Sequence, residues 1–417
     1  MSDGDIARGH IDPGLFRGLT QARLSRRGML RGAGALGGAA ALSALLTACS
    51  IPGTNQSGTA DERINWTEWW AGKKQLGTLN FANWPLYIDQ DDNGNSESLK
   101  RFTAATGIHV NYKEVINDVQ TFYAKVAPQL RAGQSTGYDL AVLTNGWQLT
   151  EMIDNGWLAQ LDHSQMPNFI ANAGRDTLFP AFDPGSLHTA VWQSGFTGLA
   201  YNEKLTGGPI ESFADLLKPE FAGKIGMLDD NVEYGSAALL AIGVEPTKST
   251  HADWKKAVDW LNKLQPSVTK YYDQGYTDAL QNGDIWICQA YSGDVFQLNA
   301  GGHPEIKYVV PKEGQVVWHD NMIIPITADH PVDALKMIDF VYRPEIAALI
   351  ADYVNYVSPV PAAQQIIRDQ LGDPAVADSP LVFPTAEMLA KTHDYYVFKD
   401  YADFTAWNDI FNPISQA

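Results

Sequence analysis

The sequence predicts an α/β fold, and three observations carry that expectation. Its 417 residues are 45% hydrophobic and 19% charged, and no run of eighteen consecutive residues is apolar. That composition belongs to soluble globular domains and excludes a polytopic membrane protein or a mostly disordered chain. Past residue 75, short β-like runs alternate with amphipathic helical patterns, as in packed α/β layers. No repeat of about 20 to 50 residues interrupts the alternation, which argues against solenoids and propellers. At about 100 to 200 residues per domain, the length predicts two or three domains that need no cofactor or disulfide scaffold for stability.

Taken in order, the chain begins with an address. Residues 1–31 are polar and carry Ser25-Arg26-Arg27-Gly28-Met29-Leu30-Arg31, and residues 32–46 form an apolar stretch of Gly, Ala, Leu and Ser. Such a stretch is too short to span a bilayer comfortably. The paired arginines resemble the twin-arginine export signal. Leu46-Thr47-Ala48-Cys49 resembles the lipobox of bacterial lipoproteins, which predicts removal of residues 1–48 and lipidation of Cys49. The GxGxxG match at residues 32–37 follows no strand and falls in the removed segment, so it carries no dinucleotide site. Residues 49–76 are expected to be the lipidated cysteine and a flexible tether, since 50–61 are rich in Gly, Ser, Thr, Pro and Asn. The product would be exported and held at the outer face of a membrane.

Strands are expected at 79–84, 109–115, 138–143, 198–202, 224–228, 285–290, 307–310 and 322–325. Helical patterns fill 98–106, 119–132, 147–155, 233–242, 252–264 and 332–342, several of them stopped by Gly or Pro. Residues 161–187 accumulate Pro, Asp, Asn and Gly and read as surface loop.

Charge and motif narrow the chemistry. The net charge is −18, and loss of six arginines and three aspartates with residues 1–48 leaves −21. So acidic a chain lacks the basic surface that nucleic acid requires, and cations are its natural partners. Its two cysteines are Cys49 and Cys288, the latter in an apolar run where a small core residue is expected. The nine histidines show no HxxxH or HExxH spacing, no CxxC is present, and no metal is expected. GxxxxGK[ST] is absent beyond the signal segment. Asp89-Gln90-Asp91-Asp92-Asn93-Gly94-Asn95 fits the first half of an EF-hand loop, but position twelve is Lys100. A cation there opposes calcium, and a polar turn capping the helix near Ser98 is the plainer reading.

Aromatics and acids recur at the ends of the expected strands: Trp84 and Tyr87, Thr144 and Trp147, Asp229, Asp230 and Glu233, Tyr291, then Trp318 and Asp320. Ligands of α/β sheets bind beyond strand carboxyl ends. Rings and isolated carboxylates suit an elongated organic cation, and they also suit a sugar.

From Gly77 onward the chain resembles the spermidine/putrescine-binding proteins of bacterial ABC importers. The likeness rests on Phe81-Ala82-Asn83-Trp84, Tyr138-Asp139-Leu140-Ala141-Val142, Ser212-Phe213-Ala214-Asp215-Leu216, residues 218–224, Asp229-Asp230, Pro311-Lys312-Glu313-Gly314 and Trp318-His319-Asp320. It implies a two-lobed periplasmic-binding-protein fold with hinge crossovers near Gly195/Phe196, His319/Asp320 and Gln364. The N-lobe would be 77–195 plus 320–364, and the C-lobe 196–319 plus 365–417. Matching residue by residue puts the aromatic box on Trp84, Tyr87, Tyr291, Trp318 and Tyr356, with Trp147 a further wall, and the ammonium-binding acids on Asp230, Glu233 and Asp320. Pro85 and Leu86 stand where the family has a hydroxyl residue and an acid, and Tyr291 stands where the spermidine receptor has Trp, which leaves putrescine and spermidine both open. The implied protein is not an enzyme: a monomeric, lipid-tethered polyamine receptor that serves a permease and its ATPase. A receptor for a sugar or another small cationic solute, and an exported hydrolase using two carboxylates, are the alternatives.

Overall fold

The computed structural model describes residues 64–178, 180–272 and 275–416. The export and lipidation signals, Cys49 among them, lie outside the described residues. No helix within those residues is long and apolar enough to cross a membrane.

Ten strands form one connected sheet: β1 (Thr78–Asn83), β2 (His109–Glu114), β3 (Leu140–Thr144), β4 (Thr189–Asn202), β5 (Ile225–Leu228), β6 (Val268–Tyr272), β7 (Ile287–Tyr291), β8 (Ile306–Val309), β9 (Gln315–Ile323) and β10 (Thr392–Asp394). The order is β2-β1-β3-β9-β4-β7-β5-β6, with β10 beside β9 and β8 beside β4. Parallel pairs β1·β2, β1·β3, β5·β6 and β5·β7 lie toward the two ends, joined through helices as parallel strands must be. In the middle β4 and β9 run antiparallel, Thr189 opposite Ile323 and Thr197 opposite Val316, with a bulge between Val191 and Gln193.

A large core lies on each side of this pair, with a smaller cluster beside each. Phe81, Phe102, Leu140 and Trp192 cluster with the helices Pro331–Val341 and Pro344–Val354. Across the middle, Ile225, Tyr234, Trp254 and Trp407 cluster with the helices Asn231–Ala241, His251–Leu264 and Tyr401–Ser415. The architecture is a two-lobed α/β fold. Local signals fix the helices: Ser96 caps Glu97–Thr106, Asp118 caps Val119–Arg131, and Thr250 with Asp253 forms a capping box.

Several expectations shift. Both β4 and β9 extend well beyond the runs expected at 198–202 and 322–325, because protein covers both faces and no polar alternation marks them. Residues 161–187 are more than surface loop. Met166 and Phe169 are fully buried there, and the Asp339 carboxylate accepts the Asn168 and Phe169 N–H groups at 2.7 and 3.0 Å. The tether does not reach 76: the helix Trp66–Ala71 buries Trp70, whose indole N–H donates to the Gln160 carbonyl at 2.8 Å. Nor does the chain leave the first lobe at Gln364, since Ala363, Ile367, Val376 and Val382 all pack in the first core, whereas Tyr395 begins the second.

Replacing a buried Trp by Ala removes its packing and leaves a cavity, at a cost of about 3 to 5 kcal/mol. Trp70→Ala should therefore lower stability by about 3 kcal/mol in a denaturant titration, while truncation at residue 62 should leave the midpoint unchanged.

Candidate functional site

The crossing strands bring side chains of both lobes to one face. Along β9, Trp318 and Asp320 point the same way, and Gly195 of β4 lies opposite Trp318. A Cβ at Gly195 would stand 2.2 Å from the Trp318 ring, so only glycine leaves the indole its seat. Gly293, at the start of the helix Ser292–Ala300, plays the same part for Tyr356, whose ring would lie 2.5 Å from a Cβ.

Four of the expected rings form a continuous edge-to-face row. Tyr87 meets Tyr356 at 5.8 Å, Tyr356 meets Trp318 at 5.4 Å, and Trp318 meets Tyr291 at 5.9 Å. Edge-to-face contact leaves successive π-faces turned toward different directions, each a surface for methylenes or a cation.

Acids stand at both ends. At the Tyr87 end, Asp320 accepts the Tyr87 hydroxyl at 2.5 Å and the Thr144 hydroxyl at 2.5 Å. Burial pushes its carboxyl up to about 6, although both hydroxyls pull the other way. At the Tyr291 end, Glu233 accepts hydroxyls from Thr197 (3.1 Å) and Tyr395 on Oε1. Glu233 Oε2 is buried and has no hydrogen-bond partner among the described residues, and neither has Trp318 Nε1. Burial first and the charge of Asp230 second raise the Glu233 carboxyl to about 8. Asp230 caps the helix Asn231–Ala241, accepting the Val232 N–H at 2.8 Å. Its surface is accessible to solvent, yet the protein around it makes desolvation outweigh its backbone hydrogen bonds and raises its carboxyl above the ordinary value. The same two acids, after burial, hold the Tyr291 phenol well above its usual range. Such groups, ionisable but stripped of water, are suited to receiving positive charge.

Two expected residues stand apart from the row. Trp84 is half-buried, its indole N–H tied to the Val142 carbonyl at 3.0 Å. Trp147 stacks on Phe404 of the C-terminal helix, with centroids 5.4 Å apart and planes within 12°. Its own helix, Trp147–Asp154, packs Leu149 and Met152 in the first lobe, so Trp147 reaches across and ties the lobes together.

The Asp89–Gly94 loop is internally satisfied. Asp89 is buried and accepts the Ser98 N–H at 3.0 Å and the hydroxyls of Ser96 and Ser98. Asp91 accepts the N–H groups of Asn93 and Asn95. No metal-holding group of His, Cys, Asp and Glu occurs among the described residues. With Asp89 engaged and Leu86 held at φ 55 by an N–H bond to Glu114, this segment adds no second acid to the row.

Thr197 and Tyr395 were not legible as site residues. Tyr395 lies 162 positions from Glu233, and no local pattern joins them.

Known proteins resemble this chain over most of its length. The sequence profile of the bacterial extracellular solute-binding proteins matches residues 97–385. A putrescine-binding periplasmic protein of Pseudomonas aeruginosa is 31% identical over 335 residues, spanning 76% of this chain and 86% of that protein. The spermidine/putrescine-binding periplasmic protein of Escherichia coli is 30% identical over 313 residues, spanning 75% and 84%. The crystal structure of a spermidine/putrescine ABC transporter substrate-binding protein from Streptococcus pneumoniae superposes with a TM-score of 0.70 at 27% identity, covering 81% of this chain and 98% of that one.

The Glu233 carboxyl generates a pH signature. Folded, it keeps its proton to about 8, whereas its ordinary value is 4.5. Between those values the folded state binds more protons than the unfolded one, so stability falls as pH rises. In the ligand-free protein Glu233→Gln should remove that slope, and thermal unfolding at about pH 5 and about pH 8 should show the variant losing less stability than the parent.

Proposed function

This chain belongs to the bacterial extracellular solute-binding proteins, and from that premise we propose that it captures a polyamine of the putrescine or spermidine class. It then delivers that cargo to a membrane permease driven by an ATPase. The observation that carries the reading is the ring row Tyr87–Tyr356–Trp318–Tyr291 with Asp320 at one end and Glu233 and Asp230 at the other. A chain of methylenes carrying an ammonium at each end is the complement of that pattern. The names of the relatives point to the same ligands.

The magnitudes are adequate. An ammonium about 4 Å from a carboxylate gains about 4 kcal/mol at an effective dielectric of about 20, before desolvation is subtracted. Each good ring face adds about 0.5 to 2 kcal/mol. Micromolar affinity needs about 8 kcal/mol net, which two paired ammoniums and several rings can reach. Asp320 and Glu233 are already buried by the fold, so part of that cost is met before ligand arrives. Capture is by closure of the two lobes around the crossing strands, with Trp147 against Phe404 as a cross-lobe contact of the closed form.

We further assign the chain to the outer side of the cytoplasmic membrane as a monomer, exported through its twin arginines and anchored by lipid at Cys49. Mass spectrometry of the membrane-extracted protein tests that anchor.

Calorimetric titration tests the ligand class. Putrescine or spermidine should bind one to one with micromolar or tighter affinity, and a neutral oligosaccharide should not. Asp320→Asn leaves one ammonium without its partner charge and should weaken binding by about 2 to 4 kcal/mol. Equal affinity in parent and variant would remove Asp320 from the site.

A further inference from the structure

The crossing strands have a second face. Where Gly195, Trp318 and Asp320 turn toward the ring row, alternation sends Ser194, Phe196, Val317 and His319 the other way. These four floor a cavity of about 870 Å³ on the reverse side of the hinge, a volume within the range of small-molecule sites.

Its walls come from both lobes. Arg175 and Thr177 contribute from the first, in a segment fixed there by the Gly174 N–H bonded to the Pro359 carbonyl at 2.8 Å. Thr392 and Asp394 contribute from β10, which pairs with β9 at the second lobe, Asp394 opposite Val317. Val357, Pro361 and Phe383 make the lining apolar between these polar ends, and Gln364 adds an amide. His319 is neutral under ordinary conditions, since burial pushes it down to about 4, and its Nδ1 lies 2.6 Å from the Ser194 hydroxyl. Arg175 is thus the cationic group of the lining and Asp394 its acidic one, one on each lobe.

We propose that this cavity is a second small-molecule site, for a short zwitterion whose carboxylate pairs with Arg175 and whose ammonium pairs with Asp394, and that its occupancy favours closure of the front cleft. The coupling follows from the shared strands. Lobes that rotate about β4 and β9 narrow one face as they widen the other, so the reverse cavity is widest when the front is shut. A molecule seated there opposes reopening, and by linkage the front ligand strengthens its binding in turn.

The probe is 6-aminohexanoate, titrated into the protein both free and saturated with putrescine. Saturable one-to-one binding is expected in both, reduced about tenfold or more in Arg175→Ala and in Asp394→Asn, and retained in Asp320→Asn. Absence of saturable binding would overturn the site. Displacement of the probe by putrescine, or its loss in Asp320→Asn, would move it to the front cleft and overturn the site equally. Closure is read without any front ligand, by small-angle scattering. The probe, and independently Leu389→Trp, which enlarges a side chain of the cavity lining, should shift the free protein to a smaller radius of gyration, and an unchanged radius with the probe bound would overturn the coupling.

Discussion

Between Thr189 and Thr197 one strand runs antiparallel to another from Ile323 back to Val316, and both lobes hang from this ladder. Each lobe extends its own sheet outward from the pair: β3, β1 and β2 from β9 on one side, β7, β5 and β6 from β4 on the other. The ladder therefore does two things at once. Its hydrogen bonds make the lobes one molecule, and its pleat assigns Trp318 and Asp320 to one face and His319 to the reverse. A register slip of one residue would exchange those faces and dissolve the site. The bulge between Val191 and Gln193 lies beside Asp320, where such irregularities re-aim side chains.

The electrostatics of the cleft follow from where the ladder puts its acids. Asp320 and Glu233 are almost completely buried, and neither has a lysine or arginine among its hydrogen-bond partners or the causes of its shift. Hydroxyls from Tyr87, Thr144, Thr197 and Tyr395 supply partial compensation. A carboxylate satisfied by hydroxyls alone keeps a strong preference for a cation, because neutral donors stabilise it less than a charge does. The acidic surface of the whole chain adds a long-range attraction of the same sign, screened by salt.

The fold class was legible because α/β alternation is a local pattern, and the ends of β1, β3, β5 and β7 fall within a few residues of the runs their apolar residues mark. The long strands β4 and β9 were only partly legible, since burial on both faces erases the alternation that marks a strand. Strand-end position sufficed to nominate Tyr291 and Glu233, whereas Trp318 and Asp320, expected just before a strand at 322–325, lie inside β9. It could not show that Trp147 turns away to stack on Phe404, because the helix holding Phe404 begins more than two hundred residues later. Asp89 shows the converse: an acid that sequence offers as a ligand is consumed by Ser96 and Ser98 nearby. Composition placed the tether boundary at 76 and missed Trp70, a single buried ring that docks the segment.

The central claim is that one ligand spans the ring row from Asp320 to the Glu233–Asp230 pair. A crystal structure of the protein grown with putrescine tests it most directly. The account predicts closed lobes, methylenes against Tyr356 and Trp318, and ammonium groups within hydrogen-bond distance of Asp320 at one end and of Glu233 or Asp230 at the other. A ligand held elsewhere, or a cleft that closes with Asp320 and Glu233 untouched by it, would contradict the account.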